Sequence, residues 1–235
     1  MKKTLVLLTR NEIDGLKAMI PKIPFADADE VLAIDYKSTD GSKELLALQK
    51  GIQVIHQEKS GRGEAMRMAS AQAKGAYLCF FSPDGNEDPA DIQKLFSKIE
   101  EGYDLVVASR FIKGSRNEED DQFFKWRSWA NQMFTFLANL FFGGRRMTDT
   151  INGYRVIRKT SFDRLCLDAE GYAIEYQMSI RAKKAKMKIA EIPTYEGNRI
   201  GGASKAKSIP VGFKVFKLLL KEIISGKKFL KNANA

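Results

Sequence analysis

The chain has 235 residues, 44% of them hydrophobic and 29% charged, enough for one sizeable buried core and too apolar for a disordered segment. Its 39 basic and 29 acidic residues leave a formal charge of +10, which asks for a polyanionic partner: nucleic acid, a phosphate-bearing substrate or an anionic membrane. The single histidine, His56, excludes a multi-histidine metal site and argues against a serine–histidine or cysteine–histidine catalytic pair.

Short apolar runs alternate with helical patterns through the first half. Strands are predicted over 4–8, 31–35, 52–56, 77–81 and 105–109, with helices over 13–20, 43–49, 63–73 and 90–100 between them. The last helix carries a start signal: Asp88 as N-cap, Pro89 in the first helical position and Asp91 in the first turn. Beyond it the pattern predicts a long aromatic helix over 123–142, stopped by Gly143 and Gly144. A strand over 153–157, a helix over 173–184, a strand over 188–192 and a Gly/Ser/Lys loop over 198–207 follow. A final amphipathic helix spans 209–224. Strands alternating with helices imply an α/β fold with a mostly parallel sheet covered on both faces. The expected organisation is one domain over 1–207 and a basic amphipathic appendage over 208–235.

The charge is not evenly spread. Residues 199–235 hold nine basic groups and one acid, Glu222, which accounts for +8 of the +10. The greasiest run, 133–142, is ten residues with Asn139 inside it, short of the ~20 a membrane span needs. The opening apolar run turns polar at Thr9, too soon for a secretory leader, and Cys79 and Cys166 fall in no pairing motif. A reducing, cytoplasmic setting is expected.

In parallel sheets ligands bind beyond the carboxyl ends of the strands. Those ends read Thr9-Arg10-Asn11-Glu12, Asp35-Tyr36-Lys37-Ser38-Thr39-Asp40-Gly41-Ser42, Gly61-Arg62-Gly63 and Ser82-Pro83-Asp84-Gly85-Asn86. Asp35 can accept hydrogen bonds from a base or ribose. Gly61 and Gly63 allow close backbone approach to a phosphate, and Arg62 supplies charge. Asp84 can hold a divalent cation shared with phosphate oxygens.

Taken in order, these motifs resemble a family-2 glycosyltransferase of the GT-A fold, nearest the polyprenyl-phosphate and dolichyl-phosphate sugar synthases. The resemblance covers roughly residues 4–205. It includes Ser109-Arg110-Phe111, the stretch from Asp149 to Arg155 (D-T-x-x-G-F-R), Gly171 to Glu175 (G-F-x-x-E) and Arg199 to Lys205 (R-x-G-G-x-S-K). Two departures stand out. Tyr36 replaces the second acid after the second strand, with Lys37 in place of a glycine. Ser82 replaces the first carboxylate of the D-x-D metal motif.

The resemblance implies a nucleotide-sugar donor, a polyprenyl phosphate acceptor and Mg2+ or Mn2+. It places Thr9, Asn11, Glu12, Asp35 and Arg62 at the donor, Asp84 and Asn86 at the metal, and Asp84, Arg110, Arg155 and Arg199 at the catalytic centre. Asp149, Arg155, Glu175, Arg199, Ser204 and Lys205 are expected to gather or orient acceptor phosphate. A soluble saccharide acceptor, and a non-catalytic nucleotide-sugar-binding homologue, remain the alternatives. The basic segment 208–231, with Phe213, Phe216, Leu220 and Ile223 on one stripe beside lysines, suggests either a membrane-surface helix on the cytoplasmic face or a core-packed helix with a solvated lysine face. Without an RNA motif or a stacking platform, nucleic acid is not an expected partner.

Overall fold

The apolar runs become seven strands of one sheet: β1 (Lys3–Thr9), β2 (Glu30–Asp35), β3 (Ile52–His56), β4 (Tyr77–Phe81), β5 (Leu105–Ser109), β6 (Arg155–Arg158) and β7 (Ile189–Pro193), in the order β3-β2-β1-β4-β6-β5-β7. The computed structural model describes residues 1–201 and 208–232. All neighbouring pairs are parallel except those of β6, which runs antiparallel to β4 and β5. That reversal brings the amino end of β6 to the edge where the parallel strands finish, since Arg155 pairs with Phe80.

The helices are α1 (Ile13–Met19), α2 (Ser42–Ala47), α3 (Arg62–Gln72), α4 (Asp91–Glu100), α5 (Trp126–Phe142), α6 (Lys159–Arg164), α7 (Ile174–Lys184), α8 (Ser208–Ser225) and α9 (Phe229–Asn232). Period-two alternation sends Leu5 and Leu7 of β1 to one side of the sheet and Val6 and Leu8 to the other, where each pair is buried in a separate apolar cluster. The mostly parallel, doubly covered sheet expected from the pattern is therefore present.

Several local expectations shift. The start signal at Asp88 works one turn early: its Oδ1 accepts from Ala90 N at 3.0 Å, and regular helix begins at Asp91. The aromatic helix begins at Trp126 rather than 123. The Glu119 carboxylate accepts from Ser128 N at 2.8 Å and caps the first turn there. α8 does not hang free. Val215, Leu218 and Leu219 are buried in the same cluster as Val6 and Leu8, and Glu222 is held by Arg181 and Lys184 at 2.8 and 2.6 Å.

Candidate active site

The register pairs Thr9 with Asp35 and Asp35 with His56. The carboxyl ends of β1, β2 and β3 thus finish in one row, with the end of β4 beside them. Against this row lies a cavity of about 620 Å3. Thr9, Glu12, Tyr36, Arg62, Asp84 and Arg199 line it, and the first turns of α8 contribute Pro210, Val211 and Lys214.

Arg199 enters from a loop clamped on the Asp84 turn, where Ile200 N donates to Asp84 O and Gly197 N to Asn86 O, both at 2.8 Å. Its Nη1 donates to Asp84 Oδ2 at 2.6 Å, and its other terminal nitrogen pairs with Glu12. Its Nε is buried without a hydrogen-bond partner among the described residues. Burial opposes the Arg199 charge, but Glu12 and Asp84 hold its pKa above the ordinary value. Burial raises Asp84, against the pull of Arg199.

Arg62 is the second cation. It pairs with Glu175 and donates from Nη1 to Ser82 Oγ at 2.9 Å. Burial disfavours its charge, but Glu175, with Glu87 and Tyr172, holds its pKa above the ordinary value. Gly153 makes room for it: a Cβ there would fall 2.2 Å from Arg62 Nη2. So the hydroxyl that replaces a carboxylate at position 82 accepts from a guanidinium. Beneath it, Ser82 N donates to Glu87 Oε2 at 2.6 Å. Burial pushes the Glu87 carboxyl up to about 8, against the pull of Arg62 and with help from Asp84.

Asp84 and Asn86 share one turn, with Asn86 N donating to Asp84 Oδ1 at 3.3 Å. The Asn86 amide donates to Glu118 at 2.8 Å, and its Oδ1 is buried without a partner among the described residues. No group of three or more His, Cys, Asp or Glu side chains placed to hold a metal occurs among the described residues. A carboxylate and an amide oxygen from one turn, the amide oxygen unpartnered, fit a divalent cation whose other ligands arrive on a diphosphate.

Other predicted residues lie outside the cavity wall. Asp35 is buried under it, taking hydrogen bonds from Thr9 Oγ1 at 3.3 Å and Ser38 N at 3.1 Å, while Tyr36 faces the space with Arg10 5.0 Å over its ring. Asn11 ties two strand-end loops together by accepting from Thr39 N at 2.8 Å. Lys37, standing where the resemblance expects glycine, adopts φ +47°, the left-handed conformation that favours glycine. Arg110 is locked by Asp149, at 2.7 and 3.2 Å, and by Glu196 at 3.2 Å. Burial opposes the Asp149 charge, but Arg110, together with the backbone donors of Asn152 and Ile151, holds the carboxyl below its usual range.

Arg155 corrects the expectation of a phosphate-gathering residue. It is 0% exposed and donates to the carbonyls of Thr150, Asn152 and Glu175 and to Ser179 Oγ. Burial lowers its pKa to about 10. Gly63 is also corrected. A Cβ there would meet Ala169 O at 2.3 Å, so this glycine serves helix packing rather than ligand approach. Ser204 and Lys205 lie outside the described residues.

Sequence reasoning missed Glu87, Glu196 and Tyr172, the last a cavity-lining residue. Glu196 is a lone acid in a loop and carries no local signal. Glu87 adjoins a recognised motif and was legible as a second carboxyl beside Asp84.

A family model described as "Glycosyl transferase family 2" matches residues 4–166. The chain is 29% identical over 187 residues to the glycosyltransferase AglJ of Haloferax volcanii, covering 79% of this chain and 60% of that protein. It thus spans less than two thirds of that relative's length. It is 24% identical over 231 residues to the polyprenol monophosphomannose synthase of Mycolicibacterium smegmatis, covering 92% and 86% of the two chains. Among solved structures, the glucosyl-3-phosphoglycerate synthase of Mycobacterium tuberculosis, in complex with Mn2+, UDP and phosphoglyceric acid, superposes with a TM-score of 0.76. It has 21% identity and covers 94% of this chain and 78% of that one. The sheet and its helical layers thus match the fold that the motifs implied.

Proposed function

The chain belongs to glycosyl transferase family 2, and from that premise we propose that it moves a hexose from a nucleotide-sugar donor to a polyprenyl phosphate. The observation that carries this reading is the pairing of Arg62 and Arg199 on one cavity wall with Asp84 at the strand-end edge. Two guanidiniums held by carboxylates are placed to receive a diphosphate by charge-assisted hydrogen bonds. The similarity to a polyprenol monophosphomannose synthase over most of both chains supports the acceptor class.

The chemistry asks little of acid–base groups. An acceptor phosphate oxygen is already anionic and attacks the anomeric carbon directly. The bond from that carbon to the donor diphosphate breaks, and the nucleoside diphosphate leaves with the electron pair. Rate then comes from positioning and from neutralising the leaving group. Tyr36 and Thr9, which line the cavity, and the buried Asp35 are proposed for the nucleoside. Arg62 and Arg199 take the diphosphate, oriented by Glu175 and Glu12. Asp84 and Asn86 would hold Mg2+ or Mn2+, which when bound supplies further positive charge to the diphosphate. Arg110, fixed by Asp149 and Glu196, and Arg155, fixed in the core, position the 149–155 segment. Ser204 and Lys205 are proposed for the acceptor phosphate. The acceptor would be met on the cytoplasmic face of a membrane, with 208–231 at its surface.

The test pairs binding with transfer. UDP and GDP are screened by thermal shift with and without Mn2+, then labelled nucleotide sugars are offered with undecaprenyl phosphate, dolichyl phosphate or 3-phosphoglycerate. Label in the organic phase is the expected result. Label only in the aqueous phase would replace the lipid acceptor with a soluble one. Nucleotide binding without transfer, persisting in Ser82→Asp, would make the protein a binding homologue.

A further inference from the structure

Two helices carry more apolar surface than the core uses. On α5, Phe134 and Ala138 face inward, whereas Trp129, Met133, Phe136 and Leu140 are exposed, the last two at 60% and 62%. Their spacing of three and four residues makes one continuous stripe. α8 repeats the arrangement. Val215, Leu218 and Leu219 are buried, while Phe213, Phe216, Leu220 and Ile223 are exposed on another face. The helix is thus core-packed on one side and apolar yet exposed on another. α5 and α8 pack together, and Phe141 and Ile223 line a common hollow of about 540 Å3. Phe141, itself exposed, stands about a quarter-turn from the α5 stripe, and Ile223 belongs to the stripe of α8. Apolar surface left exposed on two packed helices marks a contact site.

The surrounding charge selects the occupant. Arg145, Lys186 and Lys227 line the same hollow, and Arg146 just past the end of α5 and Lys214 and Lys217 on α8 are exposed. Lys217 Nζ lies 4.7 Å over the Phe213 ring, its stem along the apolar face and its ammonium outward. The acids of this region are already engaged: Glu222 is buried with Arg181 and Lys184, and Asp168 pairs with Lys221 and Arg181. A second copy docked on this face would bring these cations against their own equivalents. A layer of anionic headgroups over hydrocarbon satisfies both the apolar stripes and the cations. No helix among the described residues is long and apolar enough to cross a membrane, so the contact is one of lying on the surface.

We infer that α5 and α8 together form a docking face for an anionic lipid bilayer, with α5 an equal partner to the basic C-terminal helix. α8 links this face to the active site, because its first turns wall the cavity. The inference does not depend on the transfer reaction.

The chain holds two tryptophans, and both Trp126 and Trp129 lie on α5, so intrinsic fluorescence reports this helix alone. The full chain is mixed with vesicles of phosphatidylcholine, with or without about one third phosphatidylglycerol. Expected are co-sedimentation with the anionic vesicles only, a blue shift of tryptophan emission, and quenching by lipids brominated in their acyl chains. Phe136→Glu/Leu140→Glu on α5 and Phe213→Glu/Phe216→Glu on α8 should each weaken partitioning by at least about tenfold. Both should leave Tm and UDP-induced thermal shift as in the unaltered chain, since the replaced groups are exposed. Vesicle binding with unchanged tryptophan emission, or an α5 variant that partitions normally, would overturn the inference. So would a chain that ignores anionic vesicles and instead dimerises through this face, with the α5 variant monomeric. Failure of sugar transfer with vesicle binding intact would count only against the proposed function.

Discussion

Two groups of motif arginines look alike in the chain and sit in opposite environments. Arg62 and Arg199 are held by carboxylates yet line the cavity. Arg155 has no exposed surface, and its hydrogen bonds run to backbone carbonyls and a serine. The first pair can exchange or extend its contacts to an incoming phosphate; the second is committed to the fold. An arginine inside a phosphate-binding motif is thus not by itself a phosphate ligand, and substitution should separate the two kinds by whether stability or binding suffers.

The largest effect should come from Arg155→Met. The carbonyls of Thr150, Asn152 and Glu175 would lose their donor inside the protein, costing roughly 3 to 5 kcal/mol. Urea denaturation would read this as a large fall in midpoint, and an unchanged midpoint would break the comparison. Arg199→Gln should divide the other way. Loss of a charge-assisted contact, about 1.5 to 3 kcal/mol, weakens nucleoside diphosphate binding by roughly 10- to 150-fold in calorimetric titration, with a far smaller change in unfolding. A still smaller effect should attend metal removal. Chelation is expected to weaken UDP binding by about tenfold in the unaltered chain and not at all in Asp84→Asn, because Asp84 and Asn86 supply only part of a coordination shell.

These contrasts also show what the chain disclosed and what it withheld. β1 through β5 were legible because each is a compact apolar run, and Tyr77–Phe81 and Leu105–Ser109 coincide with expectation. The antiparallel insertion of β6 was not, since nothing in Arg155–Arg158 records its neighbours. Thr9, Glu12, Arg62, Asp84 and Arg199 were legible because strand-end loops and motif order placed them together. The burial of Arg155 was invisible because it depends on α7 covering that side chain, a tertiary fact. Ser82 was read correctly as a lost carboxylate, but the guanidinium that meets it comes from twenty residues upstream. For α8, one amphipathic period could not reveal that two different faces are apolar, one buried and one exposed.

A pH profile tests how the cavity acids share their protons. Burial raises Glu87 from 4.5 to about 8, so the folded protein keeps a proton that the unfolded chain releases over that interval. The folded state therefore loses stability as pH rises from about 4.5 towards about 8, with a contribution of at most about 1.4 kcal/mol per pH unit, the value for one whole proton. Above that window the contribution is flat. Glu87→Gln keeps an acceptor for Ser82 N and removes the titration. The difference in unfolding free energy between the two proteins should then grow across the window in favour of the glutamine variant. Parallel pH profiles would mean that Arg62, rather than burial, governs this carboxyl. The charge of the cavity would then be set by its ion pairs, as in the Arg110–Asp149 cluster, where the partner arginine and backbone donors hold the carboxyl below its usual range despite burial.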